Sequence, residues 1–327
     1  MHPFQNAKVV GEGVDPVAYH RQSSPRGSLG FSMSRSSLCR FFECPQRWLL
    51  GEEEEETEST IWGKNLDAYL LGGRDRFAIT PEFYVNGKGE SKSWNWNGGE
   101  CKEWKKDHED KLIVKSQDWP KIESAGTRLI GDPLAGELIR CSKYQVMVVG
   151  EYHDRATGIV VPVKCLIDLV PNVKHPEYGK DLADLKTADS AQPSSWLWKV
   201  RDYNYHVQAA MSLDLYTAAT GEDRCSFRHV ISEKNTPYQP GCELLSVELV
   251  SVGRQKMLSA LRWYCWCLKN STWPNYAGMA PANEVLRDWH ICQPNERMMM
   301  ESVGFSEPPE DEAVARAVEE EKFDLMP

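Results

Sequence analysis

An aspartate closes the apolar run Cys165-Leu166-Ile167-Asp168. Sixteen residues further on, Ala183-Asp184-Leu185-Lys186-Thr187 sets an acid and a base two positions apart. Strand side chains alternate faces, so Asp184 and Lys186 point the same way, and pairing of the two segments would bring Asp168 beside them. Two carboxylates can hold a hard divalent cation such as Mg2+, with the Leu185 backbone carbonyl as a further oxygen ligand. A cation so held polarises a phosphate ester and acidifies a water. Lys186 could orient or deprotonate that water, or neutralise charge on the phosphate. Alone, the triplet is weak evidence, because an edge strand with an Asp–Lys ion pair is spelled the same way.

Elements must bring these residues together. Residues 144–152 and 158–170 are β-branched and aliphatic, joined by a turn at 154–157, which predicts two strands leading to Asp168. A polar loop, PNVKHPEYGK, leads into a short strand around 182–187. Upstream, 34–50 reads as a helix from the spacing of Leu38, Phe41, Phe42 and Trp48, with serines available as caps. Residues 61–71 read as a second helix, ended by Gly72-Gly73. Residues 86–106 look like a loop or hairpin insertion whose Trp94, Trp96 and Trp104 either pack on the body or touch a ligand. Residues 118–141 are helical with a break at Asp132-Pro133. Downstream come a helix over 196–219 stopped by Gly221, strands at 228–232 and 244–249, and a long helix over 252–268. Residues 1–30 read as an irregular N-terminal arm, 31–297 as the folded domain, and 298–327 as an acidic flexible tail.

Composition narrows the class. The 327 residues are 41% hydrophobic and 26% charged, ordinary values for a globular chain. No apolar run approaches the ~20 residues of a membrane helix, and the first residues lack a stretch of signal-peptide length. A cytoplasmic protein with no membrane partner is expected. Ten cysteines lie scattered, with no C-x-x-C pair, which predicts reduced thiols. The net charge of −10 is unevenly spread. Residues 52–58 carry −6 and residues 301–327 carry −7, leaving +3 for the rest. Between positions 18 and 50 five arginines (Arg21, Arg26, Arg35, Arg40, Arg47) face one acid, Glu43. The body can therefore present a basic surface.

Five segments occur in order: FSMSRSSLCRFFECPQRWLL, WGKNLDAYLL, CLID, ADLKT and YNYHVQAAMSLDLY. The series resembles the RecB-like branch of the PD-(D/E)XK nucleases. There a Ser-rich helix ending in Cys-Pro-x-Arg-aromatic precedes a Gly-x-x-x-His helix, an Asp strand, an Asp-x-Lys strand and a Gln/Tyr helix. Within that branch it most resembles the RecE-type exonucleases (exonuclease VIII), also through GTRLIGDPLAGELI and the turn DRATG. The likeness covers roughly residues 30–280. It implies an α/β fold of restriction-endonuclease type, with a central mixed sheet flanked by helices. It also implies Mg2+, with Mn2+ able to substitute, and 5′-to-3′ exonuclease action on double-stranded DNA ends. A 3′ strand would be left for a single-strand annealing protein in recombination or repair, in a phage-like setting, from an enzyme expected to be a homo-oligomer.

By matched position the resemblance makes Asp168 and Asp184 metal ligands and Lys186 the catalytic lysine. Tyr205 and Gln208, three apart on one helix face, would line the site near DNA, or else form a polar pair holding helix to sheet. Arg47 is a phosphate contact or a structural ion pair. Where the family pattern has histidine this chain has Gly63…Asp67, so Asp67 becomes a third metal ligand, with Glu151 as a weaker substitute. Some relatives in that branch hold an iron–sulfur cluster; Cys44, Cys265, Cys267 and Cys292 supply the count, but their spacing is poor for one. Two other readings remain open: a structure-specific or defence nuclease on the same core, and a non-catalytic DNA-binding module with a decayed site.

Overall fold

The polar N-terminal segment is not an irregular arm. In a computed structural model describing residues 3–51 and 56–276, strand β1 (Phe4–Gly11) joins a sheet edge. Apart from Phe4 its side chains are only partly covered or exposed, as expected of an edge, which is why no apolar alternation marks it. The short helix α1 (Pro16–His20) follows, capped by the Asp15 carboxylate, which accepts from the Val17 N–H.

The helix expected over 34–50 is two helices, α2 (Arg35–Glu43) and α3 (Pro45–Leu50). Cys44 between them is extended, because a residue before proline is disfavoured from helical geometry. Next comes α4 (Glu58–Gly72), capped by Thr57. A satellite of small elements follows: β2 (Phe77–Ile79), β3 (Phe83–Val85), β4 (Ser91–Ser93), α5 (Gly99–Asp107) and β5 (Leu112–Val114). Within it Trp94 packs edge-on against Trp96 and Trp104, at 5.9 and 5.1 Å between centroids. Helices α6 (Trp119–Gly131) and α7 (Pro133–Arg140) divide at Asp132, whose carboxylate caps α7 by accepting from the Leu134 and Ala135 N–H groups.

The strands β6 (Ser142–His153), β7 (Val160–Pro171) and β8 (Asp181–Ala188) come next. Helices α8 (Pro193–Asp202) and α9 (Tyr205–Thr220) meet at Asn204, in the left-handed region. The chain continues through β9 (Ser226–Glu233), β10 (Pro240–Leu244) and α10 (Val247–Asn270). Residues 244–249, expected as a strand, instead end β10 and begin α10, because Ser246 caps the helix by accepting from the Leu249 N–H.

The main sheet runs β1-β6-β7-β8-β9-β10. Only β8 and β9 pair in parallel, so the sheet is mixed. Helices α2, α9 and α10 cover one face over a large core that includes Phe41, Val148, Val163, Leu213 and Trp263. On the other face α6 and α7 bury Leu129 and Leu138 against Leu169, Leu185 and Val230. Gly253 sets the α9–α10 distance: a Cβ there would lie 2.1 Å from the His206 carbonyl oxygen. Among the described residues no helix is long and apolar enough to cross a membrane. The expected tail boundary at 298, and Cys292, lie outside the described residues.

Candidate active site

Asp168 lies on β7, and Asp184 and Lys186 lie on β8, its neighbour. The alternation of β7 breaks at the aspartate. Val161, Val163, Cys165 and Ile167 face the large core, then Leu169 joins the smaller core and Val170 the large one. Across from it on β6, Gln145 takes φ 48°, between the pairs Tyr144–Leu169 and Val146–Ile167. Such irregularities re-aim side chains. The β7–β8 ladder registers at Leu169 with Ala183, and the Asp168 carboxylate then accepts from the Leu185 N–H at 3.0 Å. The carboxylate thus bridges the two strands.

Asp184 is buried, and its Oδ1 accepts from Gln208 Nε2 at 2.5 Å. Its Oδ2 lies against the Lys186 ammonium and makes no hydrogen bond of regular geometry. Lys186 Nζ also donates to the Leu185 carbonyl at 3.4 Å and stands 4.8 Å from the centre of the Tyr205 ring. Burial pushes the Lys186 ammonium down to about 8, with Arg35 pushing the same way and Asp168 and Asp67 opposing.

Asp67 comes from α4 on the other side. Gly63, one turn earlier, lets that helix approach β8: a Cβ there would lie 3.3 Å from Thr187 Oγ1. Burial, and then the Asp168 charge, push the Asp67 carboxyl well above the usual carboxylate range, and Lys186 pulls it back in part. Burial likewise raises Asp168, against the pull of Lys186, the Leu185 N–H and Arg35. Two carboxyls in dry surroundings resist ionising together, and a cation reverses that preference.

This donor set suits a hard cation. Asp67, Asp168, Asp184 and the Leu185 carbonyl offer oxygens alone. Among the described residues no three acidic, histidine or cysteine side chains are gathered so as to hold a metal ion by themselves, Asp67, Asp168 and Asp184 included. Mg2+ is ordinarily held by one or two carboxylates together with waters and substrate phosphates, so an open, incomplete set fits it.

Other sequence candidates fall as follows. Gln208 and Tyr205 project from α9 onto Asp184 and Lys186 respectively. Arg47 stands exposed on α3 beside Tyr276, and it is Arg35 of α2 that reaches the site. Arg35 donates to Gln208 Oε1 at 3.0 Å, forming a chain from Arg35 through Gln208 to Asp184. Glu151 accepts from Asn6 and pairs with His153, opposite Pro162 and so six residues along β7 from Asp168. That is roughly 20 Å of strand. Cys265 and Cys267 are buried on α10, where burial raises both thiols.

Arg35 and His229 were not among the site residues expected from the sequence. His229 is fully buried beside Asp184 in the β8–β9 register, and burial pushes its imidazole well below its ordinary range. Its Nδ1 accepts from Trp196 Nε1 at 3.4 Å. The signal for Arg35 was its place in the basic stretch 18–50, which did not single it out, and that for His229 was a polar residue within the strand-like run FRHVIS.

Residues 34–284 match the family of a PDDEXK-like domain of unknown function (DUF3799). The crystal structure of a candidate exonuclease from Eubacterium rectale aligns with TM-score 0.52 at 17% identity, covering 85% of this chain and 96% of that one. At that identity the likeness is one of fold. Rai1 of Scheffersomyces stipitis, with (3'-NADP)+ and calcium ion, aligns at TM-score 0.23 and 12% identity, covering 71% of this chain and 65% of its own. That likeness is too slight to carry an argument. Among curated proteins none matches. With an aspartate on one strand, Asp-x-Lys on the next and more than two-thirds of its length matched, the chain belongs to the PDDEXK-like domain family, within the PD-(D/E)XK nuclease superfamily.

Proposed function

We propose that the protein is a metal-dependent deoxyribonuclease, an exonuclease that hydrolyses phosphodiester bonds from the 5′ ends of double-stranded DNA. The observation that carries the hydrolytic reading is the group of half-buried Asp168 and Lys186 and buried Asp184 on adjacent strands, with Asp67 near them. Polarity, duplex ends and delivery of the 3′ strand to an annealing protein rest on the resemblance to RecE-type exonucleases.

Asp168, Asp184 and the Leu185 carbonyl would hold the cation, with Asp67 on the helix side. When bound, it supplies Lewis-acid polarisation of the scissile phosphate and a more acidic water. Lys186 at about 8 is close enough to neutrality for Nζ to take a proton from a water, and when charged it offsets phosphate charge. Gln208 fixes the Asp184 carboxylate, and Arg35, bound to the other end of the same amide, fixes Gln208. The Tyr205 ring lies across Lys186, 4.8 Å from Nζ.

The test is purified protein with Mg2+ or Mn2+ on end-labelled linear duplex, nicked circular and single-stranded DNA. Linear duplex is expected to lose nucleotides from its 5′ ends. Asp168→Ala and Asp184→Ala should abolish cleavage in a folded protein; loss of Asp168 relieves its repulsion of Asp67, and circular dichroism checks the fold of Asp184→Ala, which loses the Lys186 and Gln208 contacts. Near-full activity of either variant in Mg2+ would show the site assignment to be wrong.

A further inference from the structure

A cleft of about 480 Å3 opens between α2 and the α8–α9 junction, next to the carboxylate site but outside it. Arg35, Arg40, Arg201 and Lys256 line it against two acids, Glu43 and Asp202. Arg201 is paired with Asp202 at 2.7 Å and Lys256 is buried, so the lining carries a net +2, with Arg35 and Arg40 facing Glu43, in a chain whose net charge is −10. Arg35 belongs to both places, since its guanidinium lines the cleft and also holds Gln208. Whatever occupies the cleft therefore lies at the door of the Asp184 site.

The rim of the cleft is aromatic. Tyr203 is 57% exposed, although its ring stacks on Tyr205 at 5.6 Å and 25° between planes. Tyr205 in turn stacks on Trp196 at 5.6 Å and lies across Lys186. The rings thus form a stair that descends from solvent to the catalytic lysine. Trp198, 54% exposed on α8, carries the Arg201 guanidinium 4.3 Å from its ring centre. Tyr203 and Trp198 thus offer exposed ring faces beside the guanidinium groups of the cleft.

We propose that this cleft takes an unpaired nucleic-acid strand, with a base stacked on Tyr203 and its phosphates on Arg40 and Arg201. The inference deepens the nuclease reading and rests on it for the substrate being a nucleic acid. Aromatic steps beside a basic groove are the two features that hold single strands without sequence preference. A paired duplex cannot use the stair, because its base faces are already covered by neighbouring bases. Only a base that has left the stack offers a face to Tyr203, and extruding it is easiest where it is already unpaired. The cleft would thus guide the frayed or separated end of one strand toward Asp168 and Asp184.

The experiment measures affinity for fluorescent oligo(dT) and for blunt duplex of equal length, in EDTA so that no cleavage intervenes. Tyr203→Ala is expected to weaken oligo(dT) binding roughly tenfold or more, the range of one lost base stack. Duplex binding should change far less. Tyr203→Phe should restore the affinity, since the ring stacks and the hydroxyl does not. A 2-aminopurine base placed in the strand should be quenched by wild-type protein and by Tyr203→Phe but not by Tyr203→Ala. Arg40→Gln and Arg201→Gln should each reduce the slope of log affinity against log salt by about 0.7.

Wild-type protein that fails to bind oligo(dT), or Tyr203→Ala binding it undiminished, overturns the proposal. So does an equal loss for duplex and single strand. Should Tyr203→Ala melt well below wild type, quenching by wild type and Tyr203→Phe and the arginine slopes still decide, and absence of either overturns the proposal. If wild type binds the strand through Tyr203 yet cleaves no DNA with Mg2+ or Mn2+, the nuclease reading fails and the cleft stands. Cleavage without any dependence of binding on Tyr203 gives the reverse.

Discussion

Lys186 stands among three carboxyls with Tyr205 laid across it, and burial outweighs the acids in setting its charge. Its proposed work is therefore on the reacting groups more than on DNA affinity. Lys186→Ala should lower the cleavage rate by roughly two orders of magnitude or more. Binding should weaken little, because one phosphate contact is a small share of the electrostatic total. Single-turnover kinetics with a parallel binding titration check this, and equal losses in both would make Lys186 a binding residue. Asp67 is the position where this chain departs from the pattern it resembles. The structure sets it close enough to Asp168 for that charge to raise it. Asp67→Ala should raise the metal concentration for half-maximal activity. Asp67→His should retain activity and shift preference toward Mn2+, which accepts imidazole more readily. A metal titration unchanged in both variants would remove Asp67 from the ligands.

At the scale of elements, the joint between α8 and α9 positions Tyr205 and Gln208, and its stability depends on pH. His206, buried in the first turn of α9, donates from Nδ1 to the Val200 carbonyl at 3.2 Å. Burial pushes its imidazole down to about 4, against the pull of that bond and with the help of Lys256. The unfolded chain takes up the proton near 6.5, well before the folded one does. The stabilisation is thus complete above about pH 6.5 and is lost as pH falls toward 4, by about 3 kcal/mol at most. His206→Gln keeps a donor for Val200 and removes the titration. Urea unfolding of wild type and variant between pH 7 and 4 should show the variant with the shallower acid limb. Parallel profiles would place the acid sensitivity elsewhere.

For the whole molecule, the site is assembled from separate layers. Asp67 arrives on α4, the Asp168–Asp184–Lys186 group on the sheet, and Gln208 with Tyr205 on α9. Charge is partitioned on the same scale. Residues 301–327 carry −7 of the −10 total, while the α2–α8 cleft is lined by four cations and two acids. Deleting residues 301–327 should tighten DNA binding at low salt by removing repulsion, and the gain should fade above about 0.1 M salt as screening shortens. Anisotropy titrations across a salt series test this, with unchanged melting as the control. A truncated protein that is insoluble or unfolded would assign those residues to the core.

The sequence by itself determined the local chemistry: the two-residue spacing of Asp184 and Lys186, the apolar strand ending in Asp168, and the three-residue spacing of Tyr205 and Gln208. Each of these is a matter of backbone period, which neighbours in the chain settle between themselves. The helix limit at Asp132-Pro133 was legible for the same reason, whereas the break at Cys44-Pro45 and the Ser246 cap were not read from it. Tertiary structure alone decided which arginine enters the site. Arg35 and Arg47 lie in one basic stretch, and only the break at Cys44 and the packing of α2 near α9 separate their fates. It also decided that Glu151 lies far along the sheet, that His229 stands beside Asp184, and that residues 4–11 complete an edge. These are distances between segments far apart in the chain, and no local period encodes them.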